Sequence, residues 1–153
     1  MPTFRPAIKA DDGYLKKVVK YIPAEIIAAY TFCIGLITNN QVDLVNCSGR
    51  IKMFPWILYI LLLFTPIYMY LSVIDNPAII DPIKKKRQAI FHAAVSMIAY
   101  LTWVFALGDL PMVCYLKQVF KNFTYDSIIS SLIMVGFCLL VPLLERFIIG
   151  NKP

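Results

Sequence analysis

Apolar residues are gathered in four long blocks along this chain, and shorter polar segments separate the blocks. The blocks span residues 21–38, 53–73, 89–108 and 127–147. About 20 apolar residues in a helix cross the hydrocarbon core of a bilayer, which is roughly 30 Å thick. The pattern therefore predicts an all-α integral membrane protein with four transmembrane helices.

Two shorter helices are predicted outside the spans. Before the first span, apolar residues recur at helical spacing among lysines, which indicates a short basic helix at the membrane surface. Between spans three and four, Asp109 and Pro111 resemble a helix start and precede an external amphipathic helix. The chain then divides into a cytoplasmic lead with the interfacial helix (residues 1–20), a transmembrane domain (21–149) and a short cytoplasmic tail (150–153).

Composition agrees with a membrane protein. Hydrophobic residues make up 59% of the chain and charged residues 16%. Soluble domains are nearer to one half and one quarter in these two classes. The mean hydropathy of +0.70 points the same way.

Basic residues are distributed unequally between the two predicted sides of the membrane. Eleven Lys and Arg residues lie in the N-terminal segment, the middle loop and the tail, and four lie in the other two loops. Cytoplasmic loops carry the excess of Lys and Arg. Both termini are therefore predicted to be cytoplasmic, in a cytoplasmic or plasma membrane.

The net charge of +6 is explained by this bias and by attraction to anionic lipid headgroups. Nucleic acid is a poor candidate partner, because the basic residues lie beside the spans and no soluble domain organises them. The predicted headgroup contacts are Lys16, Lys17, Lys20, Lys84, Lys85, Lys86 and Arg87.

Ionisable residues inside or at the edge of the spans all lie near the cytoplasmic side. A charge inside a bilayer is costly, so such residues usually face a partner or water. They either pair and hold the helices together, or form a proton or cation relay at an inner gate, or contact lipid headgroups. The residues of this candidate polar network are Glu25, His92, Glu145 and Arg146.

Small residues recur at helical spacing in spans one and three, and membrane helices approach closely along such stripes. Two prolines inside spans, Pro66 and Pro142, are predicted to kink their helices. The residues predicted to pack helices are Ala24, Ala28, Thr31 and Gly35 in span one, and Ala89, Ala93 and Ser96 in span three.

The cysteines and the histidine do not form a recognisable catalytic or metal-binding motif. Cys47 and Cys114 both fall on the predicted external side, so a disulfide between them is a candidate. His92 is the one histidine and has no His or Cys partners at ligand spacing, so no metal site is predicted. No catalytic motif and no cofactor motif is present, and the chain is predicted not to be an enzyme.

Three functions suit a small four-helix membrane protein without a soluble domain. Self-association of the small-residue stripes favours a homo-oligomer that forms or gates a channel or pore for ion transport. The alternative is a non-catalytic membrane anchor or accessory subunit that docks another membrane or cytosolic protein. A further alternative is a small proton-coupled transporter.

Overall fold

A computed structural model of the chain describes residues 22–38, 47, 50–75, 81–121 and 123–148. Within these residues the protein is all-helical. Five α-helices follow one another, and a short 3₁₀ turn at Arg50–Met53 precedes the second. The helices are α1 (Ala24–Thr38), α2 (Phe54–Ile74), α3 (Pro82–Leu107), α4 (Leu110–Val119) and α5 (Ser127–Ile148). The predicted interfacial helix before Lys20 lies outside the described residues.

Local sequence signals set where several helices begin. A side-chain oxygen of Asp81 accepts the Ile83 N–H (2.9 Å), and an oxygen of Asp126 accepts the Ile128 N–H (2.8 Å). These bonds satisfy N–H groups that have no carbonyl partner in the first helical turn. Asp109 precedes α4 in the same way, but its side chain forms no capping hydrogen bond. Its backbone carbonyl accepts the N–H of Val113 instead.

In the part of the chain that the structure describes, three helices are long and apolar enough to cross a membrane, over Phe54–Ile74, Lys85–Leu107 and Ser127–Glu145. The first predicted span corresponds to α1, which is apolar but has 15 residues in its described part. At 1.5 Å per residue it is about 22 Å long, shorter than a hydrocarbon core. Membrane insertion therefore rests on α2, α3 and α5.

Successive long helices run in opposite directions. One buried cluster joins Ile22 before α1 to Met69 near the end of α2, Phe91 in the first half of α3, and Val141 late in α5. A second cluster joins Ile37 at the end of α1 to residues early in α2 and late in α3, and to α4. The first region is called the His92 end below, and the second is called the disulfide end. The most extensive contact in the bundle is between α2 and α3.

The outer surfaces of α2 and α5 carry large apolar side chains. Exposed residues of α2 include Ile60, Leu63 and Phe64, and those of α5 include Leu132 and Leu139. A soluble protein rarely exposes such a contiguous apolar surface, whereas lipid tails solvate it without cost. Both predicted kink residues, Pro66 and Pro142, lie inside continuous helices.

Candidate functional site

Two members of the predicted polar network approach each other at the His92 end. His92 is buried on α3, its ring lies edge-on to that of Phe91 (5.7 Å between centroids), and the carboxylate of Glu145 on α5 acts on it electrostatically. Glu25 lies exposed in the first turn of α1. The side chain of Arg146 is outside the described part. The structure therefore brings together His92 and Glu145.

The core side of α1 differs from the stripe of small residues on the same helix. Its core side carries large residues, namely Ile26, Tyr30, Ile34 and Ile37. The small-residue stripe predicted to pack helices lies on the other side, and all its members are exposed: Ala24, Ala28, Thr31 and Gly35. A Cβ added at Gly35 would meet no atom within 4 Å. The stripe is therefore not used for packing within the described chain, because large residues fill the core instead.

Hydroxyl groups extend this exposed side of α1. The Thr31 hydroxyl donates to the carbonyl of Ile27 (2.9 Å), and the Thr38 hydroxyl donates to that of Ile34 (2.9 Å). Because each proton is used within the helix, the oxygen lone pairs remain as acceptors. The stripe of α1 is therefore small, with hydroxyl oxygens that are able to accept a hydrogen bond or contact a cation, and the exposed side chains of Phe32 and Leu36 lie beside it.

The second predicted stripe is placed differently. On α3, Ala89 and Ser96 are fully buried and Ala93 is half-buried. The Ser96 hydroxyl donates to the Ala93 carbonyl (2.8 Å), so its buried polar group is satisfied. These small side chains lie where α3 packs against its neighbours in the same chain.

The disulfide end is held together by covalent and polar contacts. Cys47 and Cys114 form a disulfide with a Cα–Cα distance of 5.6 Å, which links the segment after α1 to α4. The hydroxyls of Tyr59 on α2 and Tyr115 on α4 are 2.7 Å apart. This hydrogen bond raises the pKa of Tyr115, because ionisation would remove a shared proton. Cys33 and Cys138 are free thiols.

An aromatic cluster joins α1 to α3, and nothing in the sequence pattern predicts it. The Tyr30 ring packs edge-on against Tyr100 (6.2 Å between centroids) and Trp103 (5.3 Å). Tyr30 and Tyr100 are 1% and 0% exposed, and the Tyr100 hydroxyl has no hydrogen-bond partner within the described residues. The Asp109 carboxylate is the charged group that acts most strongly on Tyr30. This interaction with Tyr30 explains why the side chain of Asp109 does not cap α4.

Tyr125 connects the end of α3 to the start of α5. The Tyr125 hydroxyl donates to the carbonyls of Phe105 (3.2 Å) and Ala106 (3.4 Å), and lies 2.8 Å from the Ser130 hydroxyl. These carbonyls lie in the last turn of α3, where the helix provides no N–H partners. Gly108 follows with a φ of 60°, which bends the chain out of the helix.

The predicted headgroup residues are described only in part. Lys86 and Arg87 are exposed and Lys85 is half-buried, in the first two turns of α3. The side chain of Lys84 and the whole of Lys16, Lys17 and Lys20 lie outside the described residues. No group of three His, Cys, Asp or Glu side chains that would hold a metal occurs in the described ranges.

The candidate site that emerges is the exposed side of α1, with Glu25 at its start. On this helix, exposed hydroxyl oxygens and a carboxylate occur together with a stripe of small side chains. The chain matches no protein-family model, and no curated protein or solved structure is significantly similar to it.

Proposed function

We propose that this protein is a small integral membrane protein whose copies assemble through α1 into a cation-conducting pore. One observation carries the proposal: a stripe of small and hydroxyl-bearing residues on α1 is left uncovered, with the exposed side chains of Phe32 and Leu36 beside it. The exposed surfaces of α2 and α5 carry large apolar residues along most of their length. The uncovered stripe of α1 is therefore suited to another chain or to water rather than to lipid.

Small side chains permit close approach between helices and leave space for water between them. Thr31 and Thr38 would supply each copy with two hydroxyl oxygens along the axis, and Gly35 lies between them without a side chain. Lone pairs on such oxygens replace part of the hydration shell of a cation, as backbone carbonyls do in selectivity filters.

Glu25 would form a ring of carboxylates at one mouth of this pore. It lies one turn before Ala28 on the helix and is exposed in the single chain. Rings of Asp or Glu favour cations over anions in channels, because they raise the local concentration of positive charge. The proposed permeant species is therefore a cation.

The proposal includes four crossings with both termini in the cytoplasm. Antiparallel packing of α1 on α2, α2 on α3 and α3 on α5 supports it, because it puts the start of α1 and the end of α5 at one end of the bundle. The excess of basic residues in the segments at that end supports the cytoplasmic assignment.

The test combines chain counting with cation flux from liposomes that contain the purified protein. Gly35→Trp would place a bulky ring on the proposed pore surface, whereas Gly136→Trp places the same ring on α5. A Cβ at either position meets no atom within 4 Å, so neither substitution makes an overlap at the Cβ itself. We expect Gly35→Trp to lose flux, and Gly136→Trp to keep both flux and the oligomer.

Glu25→Gln tests the charge ring separately. We expect it to lower the cation-to-anion permeability ratio while the oligomer stays intact. Liposomes that contain counted oligomers yet remain tight would refute the pore and favour the membrane anchor or accessory subunit. Solute uptake that requires a proton gradient, without conductance, would favour the proton-coupled transporter.

A further inference from the structure

The start of α3 combines two cations with an apolar groove. A groove of about 680 Å³ lies along one side of this helix between Pro82 and Ala94. Its lining residues recur every three or four positions and so share one helical face. Besides Pro82 they are Ile83, Lys86, Arg87, Ile90, Phe91 and Ala94.

The two cations of this groove are available to an anion. Lys86 and Arg87 are exposed, and neither forms an ion pair with any acidic residue in the described ranges. The nearest carboxylate in sequence, Asp81, accepts the Ile83 N–H and so contributes to the start of the helix. An unpaired guanidinium beside an ammonium suits a phosphate, because the guanidinium donates two parallel hydrogen bonds and the ammonium adds a compact charge.

The apolar part of the groove continues from these cations toward the middle of the bundle. Ile90 is 55% exposed, Ala94 is exposed, and Phe91 forms the buried floor. Ala94 is seven residues beyond Arg87, or about 10 Å along the helix axis. A ligand that fills the whole groove therefore has an anionic head and an apolar chain attached to it.

We propose that this groove binds one anionic phospholipid. Its phosphate contacts Lys86 and Arg87, and an acyl chain lies against Ile90, Phe91 and Ala94. A zwitterionic lipid is disfavoured, because its quaternary ammonium adds a positive charge beside the two cations. The site lies on α3 and does not involve the uncovered side of α1, so it does not depend on the proposed pore.

The test is native mass spectrometry of the protein with phosphatidylglycerol or phosphatidylcholine, titrated into detergent micelles. We expect phosphatidylglycerol to bind more tightly than phosphatidylcholine to the unaltered chain. Each cation near an anionic lipid is worth about a fivefold change in affinity. Lys86→Gln combined with Arg87→Gln should therefore remove roughly 25-fold.

The matched control is Lys117→Gln combined with Lys121→Gln. It removes the same charge from exposed residues at the disulfide end and should leave the lipid preference unchanged. Equal loss in both double variants would overturn the site, since it would indicate attraction by net charge alone. Equal binding of the two lipids to the unaltered chain would overturn it as well.

The apolar part is tested with the cations intact. Ala94→Trp fills the groove and should weaken phosphatidylglycerol binding, whereas Met97→Trp adds the same ring to another exposed position of α3 and should not. Soluble glycerol phosphate should fail to displace the lipid. Full displacement by glycerol phosphate, or unchanged binding in Ala94→Trp, would show that the groove takes a free phosphate and overturn the lipid assignment.

Discussion

Among the glycines that the structure describes, Gly108 is the one where an added methyl group should cost the most stability. Its φ is 60°, in the left-handed region, and a Cβ built there would overlap the hydroxyl and ring of Tyr125. The left-handed conformation costs an L-residue about 1–2 kcal/mol. Moving Tyr125 would also break a hydrogen bond to the last turn of α3, at a net cost of about 1 kcal/mol.

The expected loss for Gly108→Ala is the combination of these two effects, about 2–3 kcal/mol. For a chain of this length, it corresponds to a fall in melting temperature of roughly 4–12 °C. The measurement is thermal unfolding of the purified protein in one detergent, followed by circular dichroism. Gly136→Ala is the matched control, because its Cβ would meet no atom within 4 Å. Inside α5 it should be neutral or stabilising by about 0.5–1 kcal/mol.

A third variant separates the two contributions. In a Tyr125→Ala background the overlap is absent, so Gly108→Ala should cost only the conformational part, about 1–2 kcal/mol. Equal melting temperatures for Gly108→Ala and Gly136→Ala would refute the assigned role of Gly108. A cost as large in the Tyr125→Ala background as in the natural one would show that the contact with Tyr125 is not the cause.

Three other expectations follow from particular contacts. Tyr59→Phe should lower the pKa of Tyr115, measured by tyrosinate absorbance. The pKa of Tyr115 is raised in the folded protein. The stability that its hydrogen bond with Tyr59 contributes is therefore present below the ordinary tyrosine pKa of about 10 and is lost as pH rises through the raised value. Tyr59→Phe should therefore reduce the loss of stability at alkaline pH. Thiol labelling of the unfolded chain should modify two cysteines before reduction and four after it, and four labels before reduction would contradict the disulfide. Ser96→Leu should destabilise by about 1–3 kcal/mol by overpacking a fully buried site, whereas Ala94→Leu on the exposed side of α3 should have little effect on the melting temperature.

Local sequence signals predict a helix start well when no tertiary contact competes with them. The Asp81–Pro82 pair predicts one, and α3 begins there with the Asp81 side chain as its cap. Asp109 gives the same signal, but its carboxylate makes no cap and acts on Tyr30 of α1 instead. The difference depends on Tyr30, which lies 79 positions before Asp109 in the sequence. A local sequence pattern does not show that two such distant residues are neighbours.

Apolar blocks predict the all-helical class for a similar reason, since length and composition are local properties. Which side of a membrane helix faces the protein core is harder to predict from the sequence. Both sides of α1 are uncharged over most of their length, and small residues suit helix packing as well as large ones do. The structure puts Tyr30 inside and Gly35 outside because the rings of Tyr100 and Trp103 meet Tyr30 from α3. Contacts between distant segments therefore determine which side of α1 faces the core.

The proposed pore and the proposed lipid site are separable because they use different helices. Gly35 and Glu25 lie on the uncovered side of α1, and Lys86 and Arg87 lie on α3. A Gly35→Trp chain that has lost its cation flux should still prefer phosphatidylglycerol, since the groove is complete within one copy. A chain without Lys86 and Arg87 charges should still assemble, since neither residue belongs to the proposed pore surface. Loss of both properties in either variant would indicate that the lipid bridges copies of the chain, and would place the groove at the interface between them.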